Sequence, residues 1–421
     1  MMSKGQWLWR QLTRRLWFRA TLLSVLAVAT ALFAVAAAPY IPPDLSAKIG
    51  ADAVDNILNI LASSLLAVTI FSLSTAVSAY ENAAQRVSPR ATQLLIEDET
   101  AQNALATFIG AFLFSLVSLV ALSTGAYGEE GRVVLFAATV FVIALIVLTL
   151  LRWIDHLSRL GTVAETTSRV ETAATRAIRD RRKNPHLGGQ SLEDSEDHVP
   201  ADARPIAPAK TGYVQHVDIQ ALQDLAERHD GQVLVAALPG TFVDPSRPLA
   251  HVERIDADED AAVRSAFTVD RERTFDQDPR FGLCVLAEIA SRALSPSIND
   301  PGTAIDVIGR GVRVLSAWSD RDDDQEAPRC SRVRVPGIRR GDLFDDFFRP
   351  IARDGAAFFE VQMRLQKALR ALAAVDACNA KHAARSAATA LARAEAKLAF
   401  DDELAPLREL AAELARQASK T

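Results

Sequence analysis

Four stretches of this sequence lose their charged residues for long enough to cross a bilayer, and the chain beyond them returns to short amphipathic periods. The clearest is 133–151, with 19 residues and no charge. As a helix it reaches about 28 Å, close to the thickness of a hydrocarbon core. Three more runs, about 20–38, 57–79 and 104–126, complete an N-terminal membrane domain over 1–152. Helical character continues past Arg152: Leu160, Val163, Val170, Ala174 and Ile178 recur near one face, with no proline before Pro185. The pattern predicts a helix over 153–183 that leaves the membrane and carries the rest of the chain.

Residues 184–210 are rich in Pro, Gly and acids without an apolar period, and read as a linker. The stretch 211–253 predicts a small β-α-β-β-β module, its helix capped by Asp218. Next comes a helix–elbow–helix over 254–319. Leu283, Leu286, Ala287, Ala290 and Leu294 form the first buried face, and Ile305, Ile308, Val312 and Leu315 the second. Between them, Ser295-Pro296-Ser297-Ile298-Asn299-Asp300-Pro301 stops one helix and starts the next, Asp300 as N-cap and Pro301 as the first helical residue. Residues 320–341 read as a charged loop and 342–421 as C-terminal helices. The fold class expected is an α-helical membrane protein with four transmembrane helices and a cytoplasmic α+β domain that is mostly helical.

Charge sets the orientation. The N-terminal segment carries Lys4, Arg10, Arg14, Arg15 and Arg19; Arg86 and Arg90 follow the second span, and Arg152 and Arg159 the fourth. The opposite loops hold only Lys48 and Arg132. This asymmetry predicts both termini in the cytoplasm. The first span exceeds the 7–15-residue apolar core of a signal peptide, so it reads as a retained anchor. A net charge of −5 gives no bulk basic character for nucleic acid, and three scattered cysteines fit a reducing compartment.

Two groups of side chains invite a functional reading. In span two, Ser64, Ser72, Thr75, Ser78 and Asn82 share a helical face and are candidates to line a wet pathway; the plainer alternative is that their hydroxyls bond to backbone carbonyls and let helices approach. Span three supports close packing, with Ala106-xxx-Gly110 and Ala111-xxx-Ser115. The second group is the elbow: Glu288, Arg292, Ser295, Asn299 and Asp300, with Asp276, Asp278 and Asp306 as further oxygens. These match no calcium-loop spacing, and capping alone accounts for Asp300. The seven histidines form no HxxxH, and GxSxG and Walker A strings are missing, so no catalytic residue, metal or cofactor is expected. No acid, base or histidine sits deep in a span, which argues against a proton-coupled pump.

Several strings resemble one known family: Ser88-Pro89-Arg90, Phe108-Ile109-Gly110-Ala111-Phe112, Gly212-Tyr213-Val214-Gln215 and, most specifically, Arg292-Ala293-Leu294-Ser295-Pro296-Ser297-Ile298-Asn299-Asp300-Pro301. The chain resembles the bacterial predicted membrane protein family, domain of unknown function 2254, over nearly its whole length. The linker and the tail beyond about Ala380 look less family-like. The resemblance implies an inner-membrane location and supplies no activity. The first functional expectation is therefore a non-enzymatic, homo-oligomeric protein of the inner membrane whose cytoplasmic domain regulates a pathway. The rival is a membrane-anchored sensor or scaffold whose cytoplasmic domain binds a protein partner or small ligand.

Overall fold

The computed structural model describes residues 3–37, 51–127, 129–192, 199–200, 202–319 and 326–420. Ala38, Lys48, the central part of the expected linker and the first six residues of the expected charged loop lie outside the described residues. The chain forms two compact units, one from Leu8–Thr166 and one from Met1–Trp7 together with Thr167–Thr421.

In the first unit, the end of α1 (Lys4–Thr13) leads into α2 (Leu16–Ala37), α3 (Ala51–Arg86), a short α4 (Thr92–Ile96), α5 (Glu99–Ser123) and α6 (Glu129–Leu157). Among the described residues, four helices, α2, α3, α5 and α6, are long and apolar enough to cross a membrane. Of these α5 is central: half of its apolar stretch is buried, against 6%, 22% and 11% for α2, α3 and α6. The reason lies in its small residues. Ala106, Gly110, Ala111 and Ser115 are all buried, and a Cβ at Gly110 would stand 3.3 Å from the Leu23 carbonyl oxygen of α2. Close backbone approach of this kind holds apolar helices together where lipid offers no hydrophobic drive.

Polar contacts tie off one end of this bundle. Asp98 caps α5, accepting from Ala101 N at 2.7 Å, and His156 Nε2 of α6 stands 2.9 Å from its Oδ1. Arg19 pairs with Glu99 at 2.9 Å and Arg14 with Glu97 at 3.4 Å. Part of the N-terminal basic cluster is thus answered by acids at the start of α5.

The helix expected over 153–183 is interrupted. α6 ends at Leu157 and α7 (Val163–Lys183) begins after a turn. Gly161 makes the turn, with φ +78° and its Cα so close to α3 that a Cβ would lie 2.6 Å from Ala79 O. The apolar period runs straight through this break, so periodicity alone could not reveal it.

In the second unit the elements are β1 (Gly189–Leu192), β2 (Arg204–Ile206), β3 (Gly212–Val217), α8 (Ile219–Arg228), β4 (Gln232–Val235), β5 (Phe242–Val243), β6 (Ala250–Glu253), α9 (Asp260–Ser265) and β7 (Phe267–Asp270). Then follow α10 (Pro279–Ala293), α11 (Pro301–Ser319), β8 (Cys330–Pro336), α12 (Arg340–Asp354), α13 (Phe359–Val375), α14 (Ala377–Glu395) and α15 (Asp401–Ala418). The strands make two sheets, β1-β8-β4-β6-β2 and β5-β3-β7. In the larger, β1, β8 and β4 run parallel, β6 pairs antiparallel to β4, and β2 pairs antiparallel to β6.

Two expectations are corrected here. The stretch read as a linker supplies β1 and β2, the two edges of the larger sheet, and the stretch read as a charged loop supplies β8 at its interior. Gly189 lets β1 approach Val333 O to where a Cβ would stand 2.7 Å away. Pro205 is tolerated because β2 is an edge strand, where a missing N–H costs the ladder nothing. The β-α-β-β-β elements within 211–253 are present, but they are divided between the two sheets. The buried face of α11 is turned from the expected one: Ala304, Val307, Ile308, Gly311, Val314 and Leu315 point inward, while Ile305 and Val312 are half-buried.

Candidate functional site

The hydroxyl face of α3 does not act as a unit. Ser72 is buried and its Oγ accepts from Trp153 Nε1 of α6 at 3.0 Å. Ser64 and Thr75 donate to carbonyls of their own helix, Ile60 O at 2.6 Å and Phe71 O at 2.9 Å. Ser64, Ser78 and Asn82 are exposed on the surface of the unit. Trp153 also stacks on His156, their ring centroids 5.9 Å apart, so Ser72 belongs to a network joining α3, α5 and α6.

The elbow between α10 and α11 is a set of caps. Ser295 Oγ donates to Arg292 O at 2.7 Å, and Asn299, at φ +51°, donates its N–H to Ser295 O at 2.8 Å. Asp300 accepts from Thr303 N at 3.0 Å and Thr303 Oγ1 at 2.6 Å, which holds its carboxyl below the usual range. Glu288 and Arg292 are half-buried on α10, one turn apart. Asp278 points elsewhere, as shown next. Among the described residues no three His, Cys, Asp or Glu side chains come together as a metal site.

A different place has the shape of a site. A cleft of about 1420 Å³ opens where β1, β8 and β4 end, at their carboxyl edge beside the first residues of β6. Open parallel sheets place ligands at this edge, since the strand ends diverge there into loops and helix N-termini. Ser191 and Leu192 come from β1, Pro336 from β8 with Gly337–Arg339 following, and Leu234 and Val235 from β4 with Ala236 just after it. The N-termini of α10 and α12 complete the wall with Asp278, Pro279, Arg280 and Asp342.

Asp278 is the structural anchor of that wall. Nearly wholly buried, it caps α10 through Arg280 N at 3.1 Å and Phe281 N at 3.2 Å, and accepts from Arg273 Nε at 2.7 Å. Burial pushes its carboxyl up, and the charge of Arg273 opposes this. Arg181 of α7 lies in the same interior, donating to Gln277 O at 2.9 Å; burial lowers its pKa to about 10, while the charge of Asp278 opposes that fall. Arg280 makes a bidentate pair with Asp346, at 2.6 and 3.0 Å, and a third bond to Asp342 at 2.8 Å.

The remaining basic groups of the cleft are two arginines and two histidines, and the charge of Arg247 acts on nearby Asp244. Arg247 and Arg339 are exposed, and among the described residues neither guanidinium makes a hydrogen bond or an ion pair. His186 Nδ1 stands 2.8 Å from Val335 O; a carbonyl only accepts, so the neutral ring carries its proton there and keeps Nε2 as an acceptor. His251 is held below its ordinary pKa by burial. None of these four was singled out in the sequence. They lie on separate elements, and no spacing pattern connects them.

Four long apolar helices mark a membrane-type protein, and the second unit is an α/β fold with a cleft at its sheet edge. The chain belongs to the family described as Predicted membrane protein (DUF2254), whose model matches residues 13–371. It is similar to the uncharacterized protein Rv1290c of Mycobacterium tuberculosis, 31% identical over 158 residues, covering 32% of this chain and 27% of the relative. The uncharacterized protein Mb1321c of Mycobacterium bovis matches to the same extent, at 31% over 158 residues. The chain thus spans 27% of the length of these relatives. No solved structure matches.

Proposed function

We propose that this chain is a non-enzymatic sensor anchored in the bacterial inner membrane, both termini and the second unit in the cytoplasm, with the cleft as its ligand site. The observation that carries the reading is the cleft itself: a concave space at the carboxyl edge of parallel strands, with uncommitted polar groups on its wall. Native mass spectrometry of the full-length protein in nanodiscs, after exposure to a bacterial metabolite extract, tests it. A bound small molecule is expected on the wild type and not on Ala236→Trp, which fills the cleft from an exposed wall position. A wild type that retains nothing overturns the reading.

A second reading, a pathway formed between copies of the chain, is favoured by one observation. Ser64, Ser78 and Asn82 of α3 present polar atoms on the outside of their own unit, where a second copy can share them. Ion flux into liposomes that Ser78→Leu abolishes, with the protein still folded, would support it.

A further inference from the structure

We propose that the cleft binds an organic phosphate of nucleotide size, with the phosphate on Arg247 and Arg339. This rests on the ligand-sensor reading above and names its ligand class.

Charge argues first. Four arginines and two aspartates line the cleft, but Arg273 is spent on Asp278 and Arg280 on Asp342 and Asp346. That leaves Arg247 and Arg339 with no direct hydrogen bond or ion pair from the guanidinium among the described residues, although Asp244 lies within reach of the Arg247 charge. An anionic ligand group can hydrogen-bond to both. Guanidinium forks match phosphate oxygens in geometry, and each charge-assisted bond holds more strongly than a neutral one.

The donor set argues second. Arg339 is also the N-cap residue of α12, and its side chain makes no capping bond there. The Asp342 N–H bonds to Arg339 O at 3.0 Å, which leaves the N–H groups of Arg340 and Gly341 at the start of α12 for a ligand. The rings of His186 and His251 add two nitrogens to the wall. These groups sit on four separate elements, so no single local motif accounts for their convergence on one cavity.

Size and surface argue third. A volume of about 1420 Å³ is far more than inorganic phosphate fills, and exceeds the roughly 300–1,000 Å³ of ordinary small-molecule sites. Leu192, Leu238, Pro248 and Ile338 give the wall an apolar part for an organic body. At the rim, Phe242 is 45% exposed, its ring braced edge-on by Tyr213 at 5.2 Å. An open aromatic face suits the planar base of a nucleotide.

The test is calorimetric titration of the full-length protein in detergent with ADP, GDP, glucose 6-phosphate, inorganic phosphate, adenosine and succinate. At least one organic phosphate is expected to bind, adenosine not to, and inorganic phosphate only weakly. ADP or GDP binding identifies the base-bearing source; glucose 6-phosphate binding alone keeps the phosphate and removes the nucleotide. Arg247→Gln/Arg339→Gln is expected to weaken binding at least about 30-fold, as the loss of charge-assisted bonds predicts. Both side chains are exposed, so the unliganded variant should melt within a few degrees of wild type. Succinate binding in place of every phosphate, blocked by Ala236→Trp, overturns the ligand class and leaves the sensor reading standing. Phosphate binding that survives the double variant, or no binding by any probe, overturns the proposal; the metabolite-extract experiment then judges the sensor reading separately.

Discussion

Trp153 Nε1 donates to Ser72 Oγ across 3.0 Å, and both side chains are buried. The most central of the candidate pathway hydroxyls is thus the acceptor for an indole that has no water to turn to. Ser72→Ala should cost about 1–3 kcal/mol, because it leaves the indole N–H desolvated and unpaired. Ser64→Ala, which removes an exposed hydroxyl bonded to its own helix, should change stability by less than about 0.5 kcal/mol. Thermal unfolding of both variants in the same detergent checks the contrast. Loss of flux in a Ser72 variant would report a disrupted bundle before it reported a pore.

Asp278 faces the buried Arg181 and the half-buried Arg273 and caps α10. Asp278→Ala should destabilise the second unit by about 3–5 kcal/mol, the range for removing one partner of a buried pair. Asp278→Asn keeps an acceptor for the α10 amides and should fall between it and wild type. Denaturant unfolding followed by circular dichroism gives the order.

Gly240 has φ +92°, and a Cβ there would run into the Asp278 carboxylate. Gly240→Ala should cost about 1–3 kcal/mol through backbone strain and the displaced carboxylate. Ala236→Trp, on the exposed wall of the same cleft, should leave the melting temperature nearly unchanged. Scanning fluorimetry of the two variants separates a glycine required by conformation from a position that only borders space.

Asp300 titrates below its ordinary value because Thr303 hydrogen-bonds to it, through its hydroxyl and then its amide. A depressed carboxylate stabilises the fold fully above the unfolded value, about 3.9, and loses that contribution as pH falls through the lower folded value. Asp300→Asn keeps the N-cap but cannot titrate. Its stability should therefore decline less steeply than wild type between pH 5 and pH 3, read from unfolding midpoints across that range.

The three cysteines differ in access. Burial pushes the Cys284 thiol up to about 11 and raises Cys330 as well, while Cys378 is exposed. Intact-mass analysis after a short maleimide treatment near pH 7 should show one adduct on the folded protein and three after denaturation.

Long-period features were legible in the sequence. Four uncharged runs gave four apolar helices with ends shifted by a few residues, and the buried face of α10 matched its apolar spacing. The elbow was legible as well, since proline and capping chemistry is local. What escaped was structure whose signal is carried by its partners. Gly189–Leu192 has no strand pattern of its own, and becomes a strand because β8 offers it a ladder. In β8 the alternation Val333-Arg334-Val335 was present, but the surrounding arginines and acids read as surface. Without β1 and β8 the parallel block could not be assembled, so the cleft at its carboxyl edge stayed invisible. Arg247 and Arg339 then looked like ordinary charges in loops.

Trp7 lies stacked on His216 with ring centroids 5.4 Å apart, and Lys4 N donates to Asp218 at 2.6 Å. Residues made before the four apolar helices are thus seated against β3 and the start of α8, which are made after them. During synthesis the N-terminal segment has to wait, unpartnered, while the intervening chain is laid down. Closing so long a loop adds little to its entropic cost, which grows only logarithmically, but it sets an order of events. A fragment cut to begin at Thr167 would be born without a tryptophan from its own interior. Residues 3–7 supplied as a peptide, or fused ahead of the fragment, are the missing piece.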